Sequence, residues 1–441
     1  MPGDIIIRNA TIFTGSDVID GGTIVIRGGE IIECSADAAV EESAGDDVID
    51  ASGRLVTPGF TIGHTHVYSA LARGIMLGGE PAHNFIEILE KLWWRLDSRL
   101  TPEQVELSSF LYGSSCLKSG VTTIFDHHAS FGRISGSLDV LAGALAKIGL
   151  RACLCFAVSD RGGEKKTREA IEENVDFIRR TAGGGPMLNA MFGLHASFTL
   201  SDSTLKTCAA SADPDKTGFH IHAAEDKADQ DATVNQYGKR VIERLGEAGI
   251  LGEKTILAHC IWLEDREIDI LTKSGSTVAY NPQSNMNNAV GALRAGRMLE
   301  RGVKVVLGTD GFTGNIFREA LVGQILQNHL EKDPAAGWNV LPRMVLAGND
   351  LMVQTFFERS NAALVEGRRS DVVLWDYDPP TPVLGENFWG HAVFGLLDCR
   401  ADVVVVEGKV VLRGGACGGI DEDDMMKECR GAARALWEDM R

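Results

Sequence analysis

The chain has 441 residues, a formal net charge of −18, and 44% hydrophobic against 24% charged residues. That length fits one large domain plus a smaller one, with ample apolar material for a core. A chain this acidic repels phosphate backbones and anionic membranes, which excludes nucleic acid and lipid surfaces as leading partners.

The N-terminus, "MPGDIIIRNATIF", lacks the charged, apolar and cleavage regions of a secretory signal. No run of about 18 apolar residues offers a membrane span. The nine cysteines are odd in number, scattered and free of any C-x-x-C spacing. Neither a disulfide framework nor a zinc knuckle is expected, and a reducing, cytoplasmic setting fits best.

From the start, "DIIIRNATIFTG", "GGTIVIRGGEIIECS" and "DDVIDASGRLVTPGF" read as short strands with glycine turns. The far end reads alike in "SDVVLWDYD" and "ADVVVVEGKVVLRGG". Residues 1–56 and 362–441 are therefore predicted to form a composite β-sandwich domain from both termini. Two independent hairpins are the alternative.

Between them, residues 57–361 alternate short apolar runs with helical stretches. The runs are "GRLVTPGF", "GVTTIFD", "LRACLCFAV", "LNAMFGLH", "GFHIH", "KTILAHC", "STVAYN" and "VKVVLGTD". The helical stretch "TPEQVELSSFLYGSSCLKSG" opens with Thr101 as N-cap and Pro102 at the first helical position. Eight strand–helix units predict an α/β fold, a TIM-type (β/α)8 barrel. A doubly wound open sheet is the alternative, but no G-x-G-x-x-G follows a strand.

Several runs end in residues that can bind a metal. The first leads into His64 and His66, the fourth ends at His195, the fifth at His222, the sixth at His259 and the eighth at Asp310. In a parallel barrel the carboxyl ends of all strands meet at one face. Side chains at i and i+2 of an extended segment share a side, so His64 and His66 can reach one ion while Thr65 points away. With His222 and Asp310 they make three imidazoles and a carboxylate, a set suited to zinc or ferrous iron with a position left for water. Such an ion lowers the pKa of water from about 15.7 towards 7. Glu225, three residues beyond His222, is either a solvated carboxylate or a proton shuttle beside that water. His259 can steady the attacked group. His220 lies on the same side as His222 but deeper, as a second-layer or core residue. His127 and His128 face opposite ways on a strand, so at most one reaches the site. Trp93 and Trp94 pack the core by default, and Tyr68, Ser69 and Arg73 either meet substrate or pack the first loop.

Taken in order, "PGFTIGHTH", "GLHASFTLS", "HIHAAED", "ILAHC", "NPQSNM" and "VVLGTDG" resemble the metal-dependent amidohydrolase superfamily. Within it the chain is most similar to the cytosine, guanine and triazine deaminase and chlorohydrolase branch. "ILEKLWWRLDSRLT", "FDHHAS" and "GHAVFG" look most like a subgroup of aminohydrolases linked by name to selenium metabolism. The resemblance covers the whole chain. It implies His64, His66, His222 and Asp310 as metal ligands, with Asp310, Glu225 and His259 as catalytic residues. It implies His195 as a substrate contact, and Trp94, His128 and Asn285 are added as expected substrate contacts. "PMLNAMFGLH" lacks the lysine that dinuclear members carboxylate, so one divalent ion is expected, zinc before iron or manganese. The sequence departs from the branch in "HAS" for the usual "H-A-P" and in Asn287 for a common basic residue.

The expected function is a mononuclear hydrolase that deaminates a cyclic amidine such as a purine or pyrimidine through activated hydroxide. Ring opening of a cyclic amide or loss of chloride would use the same attack. A catalytically silent, metal-stabilised binding protein is the alternative of another class, but a structural site has no need of an acid/base pair. The implied partners are a small heterocyclic substrate and a second copy of the chain, as a homodimer or larger homo-oligomer.

Overall fold

A computed structural model describes every residue except 1, 2, 37, 39, 213–216, 361 and 370. The expected boundary at residue 361 thus lies outside the described residues.

The apolar runs of the middle segment do form strands, and nearly all of their residues are buried. Strands covered on both faces need no polar alternation, which is why they read as continuous runs rather than period-two patterns. Phe60–Thr65, Val121–His128, Arg151–Phe156 and Leu188–Ala190 pair in parallel in that order. Phe192–Ala196, Phe219–Ala223, Ile256–His259, Thr277–Tyr280 and Lys304–Leu307 make a second parallel sheet. Two single parallel bridges join these sheets, Val158 to Leu194 and Thr65 to Asp310. Pairing therefore runs from the first strand through the last and returns to the first.

One boundary differs from expectation. "GRLVTPGF" is not one strand: Leu55–Pro58 belongs elsewhere, and the strand that carries His64 begins at Phe60. Gly59 separates the two, and a Cβ there would meet Thr122 Oγ1 at 2.4 Å. The chain can change sheets at this point because glycine lets it pass close to Thr122.

The strands from both ends join one nine-stranded sheet. Leu55–Pro58 lies between Val372–Trp375 and Ile5–Phe13 and stitches the two halves edge to edge. Two independent hairpins are excluded by this pairing. Ile7, Ile12, Ile24, Val56, Leu374 and Val405 share one core on this sheet. The C-terminal helix Glu422–Asp439 leaves it and returns to the other strands' helices, where Gln104 Nε2 donates to the Ala432 carbonyl at 3.3 Å.

The helix Pro102–Lys118 starts as its sequence dictates. Thr101 Oγ1 accepts from the Gln104 backbone at 3.3 Å, and Gln104 Oε1 accepts in return from the Thr101 backbone at 3.0 Å. All nine cysteines are free. Among the described residues no helix is long and apolar enough to cross a membrane.

Candidate metal centre and active site

The strand ends deliver their polar residues to one place. His66 Nδ1 donates to the His127 carbonyl at 2.6 Å, and His222 Nδ1 donates to the His195 carbonyl at 2.8 Å. A carbonyl only accepts, so both protons sit on Nδ1 and each Nε2 keeps a lone pair in the neutral ring. Those two Nε2 atoms lie 3.0 Å apart, and His66 Nε2 is also 3.0 Å from Asp310 Oδ1. His64 Nδ1 meets His220 Nε2 at 2.8 Å. His64 Nε2 then points at the same spot, 3.7 Å from Asp310 Oδ1, with no hydrogen-bond partner among the described residues.

Facing lone pairs repel unless a cation sits between them. A proton on His66 Nε2 would serve His222 and Asp310 but leave buried His64 Nε2 unmatched. A divalent ion serves all four atoms, so this donor set fits a metal. Each ring's other nitrogen is fixed by a carbonyl or by His220, the arrangement that orients metal-binding imidazoles.

The electrostatics agree. Burial pushes His64 down to about 4 and holds His222 well below its ordinary value, so both stay neutral and able to bind metal. Burial lowers His66 as well, but contact with Asp310 outweighs it and leaves the ring raised. Burial alone would raise Asp310, yet the facing imidazoles of His64 and His66 hold it well below the carboxylate range. Glu225 goes the other way: burial, and then the charge on Asp310, push it well above. Two neighbouring carboxyls are thus pushed in opposite directions, the pattern that separates base from acid.

His259 is fully buried, and burial pushes it down to about 3. Asn285 Nδ2 lies 2.7 Å from His259 Nδ1, and His259 Nε2 lies 3.4 Å from Glu225 Oε2. With the amide nitrogen as donor, as assigned from the hydrogen-bond network, the His259 proton is on Nε2. His259 and Asp310 both adopt left-handed backbone, at φ 74° and 51°. For residues other than glycine this conformation costs about 1–3 kcal/mol each and clusters at functional sites.

A cavity of about 840 Å³, counting its open mouth, spreads above these atoms. His66, His195, His222, Glu225 and Asp310 line it, and Trp94 does too. Two expected substrate contacts fall elsewhere. His128 turns away from the cavity, where its Nε2 meets Ser130 Oγ at 2.9 Å, and its neighbour His127 lines the wall instead. Strand alternation permits only one of the pair to face inward, and register picks the other one. Asn285 is fully buried behind His259 and is not on the wall. The helix Pro282–Asn287 turns that side chain toward His259 and gives the neighbouring Ser284 to Asp310 Oδ2.

Sequence reasoning missed Phe85, Leu89, Asp97, Phe198, Asp229, Asn288 and Phe312, all on the wall. Phe198 and Asp97 had signals: one follows His195 by three residues, and the other is a carboxylate in the apolar run "LWWRLD".

Residues 55–411 match the model of the amidohydrolase family. The chain belongs to that family. As an amidohydrolase it hydrolyses carbon–nitrogen bonds. It is 32% identical to a 5-methylthioadenosine/S-adenosylhomocysteine deaminase of Desulforudis audaxviator, over 98% of this chain and 99% of that one. It is also 32% identical to a 5'-deoxyadenosine deaminase of Methanosarcina mazei, covering 98% of each. Among solved amidohydrolase-like folds, a zinc-bound adenosine deaminase from Xanthomonas campestris matches with a TM-score of 0.84 at 20% identity, over 99% of both chains. Atrazine chlorohydrolase from Arthrobacter aurescens, complexed with zinc, matches with 0.80 at 19% identity, over 97% of this chain and 100% of that one.

The helix bearing Ser284 and Asn285 is itself held by buried Glu319. Its Oε1 accepts from the Gln283 backbone at 2.8 Å and its Oε2 from Gln283 Nε2 at 2.6 Å. Burial pushes this carboxyl up to about 8. An unfolded glutamate titrates near about 4.3, so between about pH 4.3 and 8 the folded chain holds a proton that the unfolded chain lacks. Its contribution to stability is therefore lost as pH rises across that window. The thermal midpoint of Glu319→Gln is expected to fall less than that of the parent between about pH 5 and 8. Equal slopes in the two proteins would contradict this.

Proposed function

We propose that this amidohydrolase is a mononuclear, metal-dependent aminohydrolase that removes the exocyclic amino group of an adenine nucleoside or a closely related cyclic amidine. The observation that carries the proposal is the meeting of three imidazole nitrogens and Asp310 beside buried Glu225, at the foot of an aromatic cavity. The two curated relatives reported above, both named as deaminases of adenosine compounds, support the substrate class. The parallel strands from Phe60 onward are read as one (β/α)8 barrel. The terminal strands, with Leu55–Pro58 among them, are read as a second, composite domain.

His64, His66, His222 and Asp310 would hold the ion, and nitrogen-rich coordination favours zinc over iron or manganese. When bound, a divalent ion supplies Lewis-acid activation of water at neutral pH. The chain's own residues do the rest. Asp310 is ionised, is fixed through Ser284, and accepts the proton of the attacking water. Glu225 is neutral and donates its proton to the ring nitrogen next to the attacked carbon. That transfer lets the ring accept the electron pair without carrying a full negative charge. His259 presents its Nε2 proton toward the incoming oxygen, held in that tautomer by Asn285. The proton taken by Asp310 then goes to the amino group, which leaves as ammonia, while the new hydroxyl gives its proton to Glu225 as the carbonyl forms, so that Glu225 is neutral again for the next cycle. Trp94 and His195 meet edge to face, with ring centroids 6.2 Å apart, and both line the cavity where a flat base would lie.

Glu225→Gln is expected to keep its metal and lose about 10²–10⁴-fold in turnover. Ammonia release and metal content measured on the same preparation test this. Unchanged turnover would remove Glu225 from the mechanism.

A further inference from the structure

We infer that Tyr112 is a positioning residue for the metal centre. Resting on the ligand assignment above, its hydroxyl pins the ends of the first and last parallel strands together, so that His64, His66 and Asp310 converge on one ion.

Thr65 stands between His64 and His66, and Thr309 stands immediately before Asp310. Alternation that turns the ligands to the metal side turns both threonines the other way. Both are fully buried, and Tyr112, on the helix Pro102–Lys118, receives them there. The Tyr112 hydroxyl donates to the Thr313 carbonyl at 2.8 Å. A carbonyl only accepts, so this bond uses the single hydroxyl proton and leaves two lone pairs. Thr65 Oγ1 donates to the same hydroxyl from 2.5 Å, and Thr309 Oγ1 donates from 2.9 Å. One hydroxyl thus holds both ligand-bearing strand ends and the turn after Asp310, with its hydrogen-bonding capacity filled.

The backbone seam it spans is thin. A single bridge, Thr65 to Asp310, pairs the two strands. The His64 carbonyl accepts from the Thr309 and Asp310 amides at 2.9 and 3.2 Å, and the Asp310 carbonyl accepts from the His66 amide at 3.3 Å. Asp310 is also held in left-handed backbone, at φ 51°. Such a conformation persists only where the surrounding contacts over-determine it. The Tyr112 hydroxyl supplies those contacts from behind the seam. Without it, Thr65 can still turn to the Asp310 carbonyl at 2.8 Å. Thr309 has no such replacement: its other acceptors, Thr65 Oγ1 and the Asp310 carbonyl, both stand at 3.5 Å. A buried hydroxyl and the Thr313 carbonyl are then left to find partners by moving the strand end that carries Asp310.

The test is chelator competition for zinc on the zinc-loaded full chain, as parent, Tyr112→Phe, Thr309→Val, Thr309→Ser and Tyr280→Phe. Tyr280 is the control, a fully buried residue whose hydroxyl accepts from Gln327 of the helix Ile316–Glu331 at 3.0 Å. Tyr112→Phe is expected to weaken zinc binding by about 10–100-fold, and Thr309→Val by at least about fivefold. Thr309→Ser, which keeps the hydroxyl, and Tyr280→Phe should both stay within about twofold of the parent. A purely structural hydroxyl would lower the thermal midpoint without separating these affinities. Should Tyr112→Phe not fold, the Thr309 pair decides the matter alone. Tyr112→Phe within about twofold of the parent, Tyr280→Phe weakened as much as Tyr112→Phe, or Thr309→Val binding as well as Thr309→Ser would overturn the inference and leave the ligand assignment standing. A parent that binds no zinc would overturn the ligand assignment, and the inference with it.

Discussion

His64→Ala is expected to lose its bound metal and more than about a thousandfold in kcat/KM, with the fold retained. The ring is fully buried, held neutral, and turned so that Nε2 points at the spot where His66, His222 and Asp310 converge. An alanine leaves that position without a donor. The companion variant His220→Ala separates ligand from support. His220 touches His64 Nδ1 and not the convergence point, so its loss should weaken metal affinity by about 10–100-fold while saturating metal restores turnover. Metal content by elemental analysis and ammonia release at rising zinc concentration read both outcomes. A His64→Ala protein that keeps metal and turnover would break the ligand assignment, and equal behaviour of the two variants would break the division between ligand and support.

The second large effect is on stability. Arg151→Ala is expected to cost about 3–5 kcal/mol, because it leaves a buried carboxylate with half its partners. Arg151 sits in the strand Arg151–Phe156, and Asp371 immediately precedes the strand Val372–Trp375 of the nine-stranded sheet. Both side chains are fully buried. The guanidinium grips Asp371 with two nitrogens, donates to Thr123 Oγ1 at 3.0 Å and gives Nε to the Pro186 carbonyl at 2.6 Å. Arg359 approaches Asp371 at 3.4 Å, and Glu407 joins both arginines. Burial alone would raise Asp371, but Arg151 and Arg359 outweigh it and keep the carboxyl ionised. Paired, the cluster ties the parallel strands to the terminal sheet; unpaired, its desolvation penalty remains. Arg151→Met combined with Asp371→Leu removes both charges and should cost less than Arg151→Ala alone. Denaturant unfolding of the three proteins decides it. A single-variant loss under about 1 kcal/mol would show that the cluster does not hold the two sheets together.

How much of this was legible beforehand follows from where each signal lives. The residues proposed to bind the metal stand at the ends of continuously apolar strands, so parallel pairing alone gathers them. His64, His66, His222 and Asp310 could be named from that argument without any contact. The i, i+2 rule also put His220 on the right side and one layer deeper, where it meets His64. The failures share a cause: orientation set by register and by local turns. Whether His127 or His128 faces inward depends on one residue of strand register, which no local pattern fixes. Asn285 sits on a six-residue helix whose rotation about its axis comes from packing, through Glu319 holding Gln283. The aromatic wall was partly hidden because Trp93 and Trp94 read as core residues by default in an apolar segment. The split at Gly59 was missed because both sides of it carry strand-forming residues, and only the close approach to Thr122 separates them. A composite domain from both termini was the prediction, because the strands at the two ends read alike. The strand that joins them, Leu55–Pro58, was not foreseen.

The central claim is that this cavity replaces an exocyclic amino group of an adenine nucleoside with oxygen. The most direct test is zinc-loaded protein incubated with 5'-deoxyadenosine and with adenosine, followed by mass analysis of the product and an ammonia assay. The account predicts one ammonia per substrate consumed and a product in which oxygen has replaced the amino nitrogen, with the sugar intact. An unchanged nucleoside, or a product that has gained water while keeping all of its nitrogen, would contradict it.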